Sequence, residues 1–367
     1  MERENEMIAR ILIIGKTGVG KSSFINYFLN LNEENRAKTG VGKPCTQNLE
    51  KFKKKIDGLD VEVYDTKGME VEDYKKIVNE IKEEIVKRNS SDEIKDWFHT
   101  IFYCFSLGNR RIEETEIKML KGLIDNVSQN IHIILTNSDS ADDDIIEKFK
   151  RQIRDEISSR SKIFPVCSIE MKKRNGTQTQ KSGKDEILKE VFILLWNDIS
   201  NRLAEKYSKD MKKKLIEEIE RKYEPYMNKF IIEDNVDILD KIEQDIKNDI
   251  EELKNEYQDK IEKELEELIN FIKKYSYVVS KGEINIEFNV KTEEKYKIYK
   301  IWEKIVSKVP ILGILVRGIR EFFYKKDELK YEKENAIKNI KELDLEGELK
   351  KYIKGLLKEG SLMIESK

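Results

Sequence analysis

The segment Gly15-Lys16-Thr17-Gly18-Val19-Gly20-Lys21-Ser22 matches G-x-x-x-x-G-K-[ST] at every place, and it stands between an apolar β-branched run, 11–14, and a helical pattern, 22–31. Such a loop works only between a strand and a helix, because the sharp turn is what aims successive main-chain N–H groups at one anionic oxygen. The glycines permit the turn, and the helix N-terminus adds partial positive charge. The pattern predicts that Gly15, Lys16, Thr17, Gly18, Val19, Gly20 and Ser23 cradle phosphate groups. Lys21 is placed to reach β- and γ-phosphates, and the Ser22 hydroxyl to bind Mg²⁺. A ligand-free strand-to-helix turn is the bland alternative, and a Lys-Ser pair in this register argues against it.

The rest of the first 200 residues repeats the strand-then-helix rhythm. Short β-branched and aromatic runs at 8–14, 49–56, 61–65, 100–106, 131–136 and 162–167 predict strands. Helical patterns at 21–31, 74–88, 113–126, 142–158 and 185–207 separate them. Alternation of this kind predicts an α/β fold, a mostly parallel sheet with helices on both faces. From about 204 to 275 the chain turns Glu/Lys-rich, with Ile242, Ile246, Ile250 and Leu253 at helical spacing, and two long helices broken near Pro225 and Asn235 are expected. The alternation of Ile284 to Val290 predicts a strand paired with 275–279 as a small β-hairpin. A last helical stretch is expected over 294–357. The organisation expected is therefore a nucleotide-binding domain over 1–205 and a mostly α-helical C-terminal domain over 206–367.

Charge narrows the partners. The 70 Lys and Arg are matched by 72 Asp and Glu, a net charge of -2, which does not favour nucleic acid. Three cysteines, an odd and widely spaced set, argue against a disulfide framework or a zinc site and fit a reducing compartment. The charged opening residues argue against a secretory signal, and the longest later apolar run, 309–316, is far short of the roughly 20 residues that span a bilayer. A cytoplasmic protein is expected, with a peripheral membrane association as the variant.

Further motifs stand at strand ends. Asp65-Thr66-Lys67-Gly68 closes the 61–64 strand, where a carboxylate can hold the metal through water and the Gly68 amide can reach a γ-phosphate. Thr46 lies between the first helix and the second long strand, as a threonine that ligates Mg²⁺ only in the triphosphate state would, with Thr39 the weaker candidate. Lys21, Thr46 and Gly68 are thus the candidates for acting on the transferred phosphate, and Ser22, Thr46 and Asp65 for holding the metal. Thr136-Asn137-Ser138-Asp139 and Cys167-Ser168 follow two later strands. A carboxylate at Asp139 can accept from both N1–H and the N2 amino group of guanine, a pattern adenine does not offer.

Together these residues, over about 7–200, resemble the P-loop GTPases of the translation-factor-related class, in the branch of Era-like, septin-like, dynamin-like and immunity-related members. The stretch Ala37 to Gln47 is also similar to the switch region of bacterial-type and immunity-related members. The resemblance implies GTP and GDP as ligands, Mg²⁺ as cofactor, Thr136, Asn137, Asp139 and Ser168 at the base, and a change of conformation at 32–48 and 65–71 on hydrolysis. Two departures stand out. The usual Asn-Lys-x-Asp is Thr136-Asn137-Ser138-Asp139 here, so the lysine that packs over the base is missing and guanine affinity is expected to be reduced. Met69 stands where a water-orienting glutamine often follows, so slow intrinsic hydrolysis is expected. Resemblance to members activated by pairing their nucleotide domains implies a homodimer, or another partner, as the source of the missing group. Lys16 is a minor candidate for that role, with a solvated lysine the plainer reading.

The C-terminal region carries no catalytic constellation. Between 295 and 326 nine basic residues face only Glu303 and Glu321 and enclose the 309–316 run and Phe322-Phe323-Tyr324. Basic flanks around an apolar patch suit an anionic membrane surface or a protein partner, and a packed hairpin tip suits them equally. His99 and His132 read as core histidines, and Cys104 and Cys167 as small buried hydrophobes. Two other functions stay open at this point. One is an ATP-using P-loop protein, separated by guanine-versus-adenine competition. The other is a nucleotide-binding scaffold or membrane tether with negligible turnover, separated by the dependence of turnover on protein concentration and liposomes.

Overall fold

The central strands form where the chain is apolar on both faces, and three of them, β1 (Ala9–Ile14), β5 (Thr100–Ser106) and β6 (Ile131–Thr136), are buried along their whole length. Continuous burial is the mark of central strands in a sheet covered by helices on both sides. The computed structural model describes residues 7–31, 43–44, 49–66, 74–91, 94–125, 131–157, 161–172, 178–227, 237–288, 300–305 and 325–357. Its seven-stranded sheet has the order β2-β3-β4-β1-β5-β6-β7, with β2 (Lys43–Pro44), β3 (Leu49–Ile56), β4 (Leu59–Thr66) and β7 (Ile163–Val166) completing it. Strands β4, β1, β5, β6 and β7 run parallel, and β2 and β3 are antiparallel to their neighbours. The β3–β4 hairpin turns at Asp57-Gly58, both at positive φ (46° and 80°), the pairing that the right-handed twist of a two-residue hairpin requires. The two-residue β2 falls in a stretch whose sequence carries no strand pattern.

Helices α1 (Lys21–Phe28), α2 (Tyr74–Asn89), α3 (Glu114–Ile124) and α4 (Asp143–Glu156) fill the crossovers. One face of the sheet gathers Tyr64, Ile77, Ile81, Phe98, Tyr103, Leu120, Leu123 and Ile153 in a single apolar cluster. On α1, Phe24 and Phe28 meet the Phe102 ring edge-on at 4.9 and 5.0 Å. Each such side chain contributes about 1.5–3 kcal/mol through burial alone. His99 and His132 are buried, as expected, with the His132 imidazole held neutral to about pH 4 by burial.

Two long helices follow, α5 (Lys184–Met227) and α6 (Asp237–Ser280), with Pro225 in the last turn of α5. The chain forms two compact units, which among the described residues comprise 7–198 with 270–286, and 199–269 with 287–357. The last turns of α6 thus belong with the sheet, in a way the linear division at 205 does not anticipate. The expected hairpin is corrected here: 275–279 is helical, and the described residues that follow hold isolated bridge positions at Ile284 and Phe288, the latter antiparallel to Leu357, with 289–290 outside the described residues. The physical reason is burial against the sheet unit. Phe271 lies 4.7 Å from the His99 ring, Tyr275 meets Phe192 at 5.2 Å, and the Tyr275 and Thr100 hydroxyls are 3.2 Å apart. Helical spacing brings Phe271, Tyr275 and Val278 to one face, which strand alternation could not do.

In the second unit Leu203, Tyr207, Met211 and Leu215 of α5 and Ile250, Tyr257, Ile261 and Leu265 of α6 are buried. Tyr207 donates to Glu264 and Tyr257 donates to Asp210 at 2.5 Å, so each buried ring keeps a polar partner at its rim. Ion pairs such as Lys214–Glu256 (2.9 Å) and Lys222–Asp249 (3.1 Å) decorate the outside and add little each. A helical stretch at 300–305 (α7) buries Trp302, and α8 (Lys325–Glu342) and α9 (Leu345–Gly355) complete the described helices. None of the described helices is long and apolar enough to cross a membrane. The 309–316 run and most of the basic segment 295–326 lie outside the described residues, although Lys304 pairs with Glu348 at 2.9 Å.

Candidate functional site

The phosphate loop leaves β1 over the neighbouring strand β5. Gly15 is at φ 152°, and a Cβ there would lie 2.7 Å from the Cys104 carbonyl, so only glycine fits. Gly18 faces open space at φ 77°, and Gly20, at φ 92°, caps α1. Thr17 and Gly18 are exposed, Val19 is buried, and Ser22 and Ser23 are half-buried in the first turn of α1. Lys21 folds back over this loop: its Nζ donates to the carbonyls of Gly15 at 2.8 Å and Lys16 at 3.0 Å. That ammonium lies 3.9 Å from Asp65 Oδ1 at the end of β4, and Thr66 beside it donates to the Gly15 carbonyl at 3.3 Å.

Asp65 is a strongly perturbed group of the cleft. Burial raises its carboxyl from 3.8 to about 6, Glu50 adds to the rise, and Lys21 and the Thr66 backbone oppose it. Its Oδ1 is buried without a hydrogen-bond partner. Burial likewise pushes the Cys104 thiol beneath the loop up to about 12, which keeps it an inert apolar neighbour. No group of three or more His, Cys, Asp or Glu with metal-ligating geometry occurs among the described residues. A hydroxyl at Ser22 and a carboxylate at Asp65 with one oxygen free of hydrogen bonds nevertheless fit Mg²⁺, which takes one or two protein ligands and completes its shell with water and phosphate oxygens.

The residues expected to read the base stand at the ends of β6 and β7. The Thr136 hydroxyl donates to the Val19 carbonyl of the phosphate loop and lies 3.1 Å from the Phe105 carbonyl. Asn137 sits at φ 57° and donates through Nδ2 to Ser106 Oγ at 2.9 Å, opening the 3-10 turn Ser138–Ser140 that carries Asp139. Asp139 meets the Cys167 thiol, whose pKa is raised by burial and then by that carboxylate. Ser168 follows with a buried hydroxyl that has no hydrogen-bond partner.

The structure therefore brings Gly15, Lys21 and Asp65 to one cleft, and ties Thr136 to its rim. Thr46, Gly68 and Met69, with the 32–42 stretch, lie outside the described residues. Lys16 is a correction: instead of being solvated it is ion-paired with Glu113 and lies 3.8 Å from Glu116, at the start of α3. Sequence reading also missed Lys184, which is buried at the start of α5. Its Nζ donates to Asn30 Oδ1 at 2.7 Å and to the Tyr27 carbonyl at 3.2 Å, while Asn30 Nδ2 donates to the Val279 carbonyl at 2.8 Å. The available signal was Gly183, at φ 88° with no room for a Cβ against the Pro165 carbonyl.

Comparison with known proteins adds a family. Two curated relatives, translocases of chloroplast 101 and 108 of Physcomitrium patens, are each 28% identical over 152 residues. That match covers 39% of this chain but only 15% and 14% of theirs. Among solved structures, Toc33 from Arabidopsis thaliana in complex with Mg²⁺ and GMPPNP matches at 16% identity and a TM-score of 0.34, over 47% of this chain and 80% of that one. The bacterial selenocysteine-specific elongation factor EF-Sec matches at 14% identity and 0.33, over 51% and 28%. A family model, the AIG1 family, matches residues 9–225, more than half of the chain. Strand–loop–helix geometry around Gly15 and a family match over the same residues lead to one conclusion: the chain belongs to the AIG1 family of P-loop GTPases, and its sheet-bearing unit is a guanine-nucleotide-binding domain.

Proposed function

We propose that the protein is a molecular switch that hydrolyses GTP to GDP with Mg²⁺ at a low intrinsic rate. The observation that carries this reading is the buried Asp65 Oδ1, without a hydrogen-bond partner, set 3.9 Å from the Lys21 ammonium at the mouth of a glycine-framed loop. Ser22, Asp65 and, in the triphosphate state, Thr46 would hold Mg²⁺, which supplies positive charge between the β- and γ-phosphates. Lys21 keeps its loop carbonyls and turns its remaining N–H to phosphate oxygens, and the Gly68 amide contacts the γ-phosphate. Asp139 accepts from the guanine edge, with Asn137 in place of the customary lysine lowering affinity. Loss of the γ-phosphate removes contacts made only in the triphosphate state, and this difference drives 32–48 and 65–71 between two arrangements.

Self-association of nucleotide-binding domains, or a partner, supplies the group missing at Met69. The helical region, through 295–326, carries the change to a protein or to an anionic membrane face in the cytoplasm. Competition for the site tests the base assignment: GTP and GDP displace a bound fluorescent guanine nucleotide, and ATP does not at roughly a hundredfold higher concentration. Displacement by ATP at the same concentration as GTP refutes it. Turnover per molecule that rises with protein concentration supports self-activation, and turnover that stays flat with both protein and added liposomes points to a scaffold instead.

A further inference from the structure

Lys16 fills the second place of the phosphate loop, and its two ends face opposite ways. Its carbonyl accepts from the Lys21 ammonium at 3.0 Å. Its own ammonium leaves the loop and enters the first turn of α3, where it pairs with Glu113 and lies 3.8 Å from Glu116 Oε2. Those carboxylates are 97 and 100 residues further along the chain, so the contact is wholly tertiary. Glu116 is itself fixed: it is buried, and its Oε2 accepts the Glu113 main-chain N–H at 3.2 Å. Glu116 and Glu113, the exposed residue just before α3, thus form an acidic socket of which Glu116 has little freedom to follow the lysine. Burial raises the Glu116 carboxyl, and the hydrogen bond from Lys16 lowers that of Glu113.

Two carboxylates beside an anion-binding loop oppose the ligand if only their charge is considered. In the socket they neutralise Lys16, which removes it as an attractor and leaves it as a strut. A chain of contacts then runs from α3 through the Lys16 ammonium, along its backbone, to one of the two carbonyls that hold Lys21. We propose that Glu113 and Glu116 are positioning residues for γ-phosphate recognition, acting through Lys16 to set where the Lys21 ammonium sits. The inference rests on the triphosphate reading above. Lys21 reaches both the β- and γ-phosphates, but the β-phosphate is also held by the loop amides, so a loosened strut costs the triphosphate more than the diphosphate and lowers the preference between them.

The test uses the full chain with fluorescent GDP and a fluorescent non-hydrolysable GTP analogue, in Mg²⁺. Variants are Glu113→Gln with Glu116→Gln, Lys16→Met, and the exchanged pair Lys16→Glu with Glu113→Lys. Glutamine at 116 keeps the main-chain contact of the helix start, and Lys16→Met leaves α3 intact should the double variant fold poorly. The Kd for the triphosphate analogue is expected to rise roughly five- to tenfold in the first two variants, with GDP changed less than about twofold, and the exchanged pair to recover part of the loss. A merely structural role would weaken both nucleotides equally. That result, tighter triphosphate binding, or binding unchanged in every variant overturns the inference while the function reading stands. Wild-type chain that binds neither nucleotide overturns the function reading, and this inference with it.

Discussion

Helix α1 has a lysine ammonium buried at each end, and the two are treated differently. At its start, Lys21 is held by two loop carbonyls and faces the carboxylate of Asp65. Past its other end, Lys184 donates to the Tyr27 carbonyl and to Asn30, both neutral, with the Tyr27 ring 5.7 Å away. Burial lowers Lys184 to about 7, Lys281 adds to the drop, and Asp185 and Glu283 only partly offset it. Both amines are desolvated. What differs is the bonding left over: at the start of α1 an acceptor of Asp65 has no hydrogen-bond partner, whereas at the far end Asn30 gives both its amide groups to Lys184 and Val279. One end is prepared for a ligand and the other for holding three helix termini together.

The comparison breaks first at Lys21. Lys21→Ala is expected to weaken guanine nucleotide binding roughly a hundredfold while leaving thermal stability near wild type, as read by fluorescence titration and melting. Lys184→Met should do the reverse, with nucleotide affinity kept and the pH dependence of stability changed. The folded-state pKa of Lys184 is depressed from 10.5 to about 7, so the folded state discards a proton that the unfolded chain keeps. Wild type therefore gains stability as pH rises above about 7, by about 2 kcal/mol over the next two pH units, and loses it again as pH falls through 7. Chemical denaturation of Lys184→Met across this range should lack that gain; an equal gain would mean that the ammonium is not desolvated.

Asp65 titrates with the opposite consequence. Its folded pKa is raised from 3.8 to about 6, so its contribution is fully present below 3.8 and disappears as pH rises through 6. The nucleotide-free protein should lose about 1–2 kcal/mol between these limits on this account, and Asp65→Asn should flatten that slope while abolishing the Mg²⁺ dependence of nucleotide binding. The smallest effect sharpens the far end. Asn30 is at φ 53°, so Asn30→Gly removes the amide without backbone strain and should cost about 1 kcal/mol with no change in nucleotide affinity.

Most of the sheet unit was legible because its signals are local. Buried strands read as largely apolar runs, and the phosphate loop reads as a fixed spacing of glycines before Lys-Ser. What escaped is long-range. Tyr275 to Val279 carries β-branched and aromatic residues that suit a strand, yet packing of Tyr275 on Thr100 and Phe192 selects a helix. Neither the pairing of Lys16 with α3 nor the link from Asn30 to Val279, 249 residues away, leaves any periodic trace. Thr136 was placed near a base as one of a set, but its contact with the Val19 carbonyl depends on β1 and β6 flanking β5, which spacing alone does not reveal.

That hydroxyl has a metric consequence. By bonding to the phosphate loop from the strand end that also starts the Asp139 turn, Thr136 makes the cleft a ruler with two marks on one piece of metal. A molecule registers only if its anionic tail and its flat head are separated by that span, so a nucleotide lengthened or shortened between sugar and phosphate should be refused whatever its base.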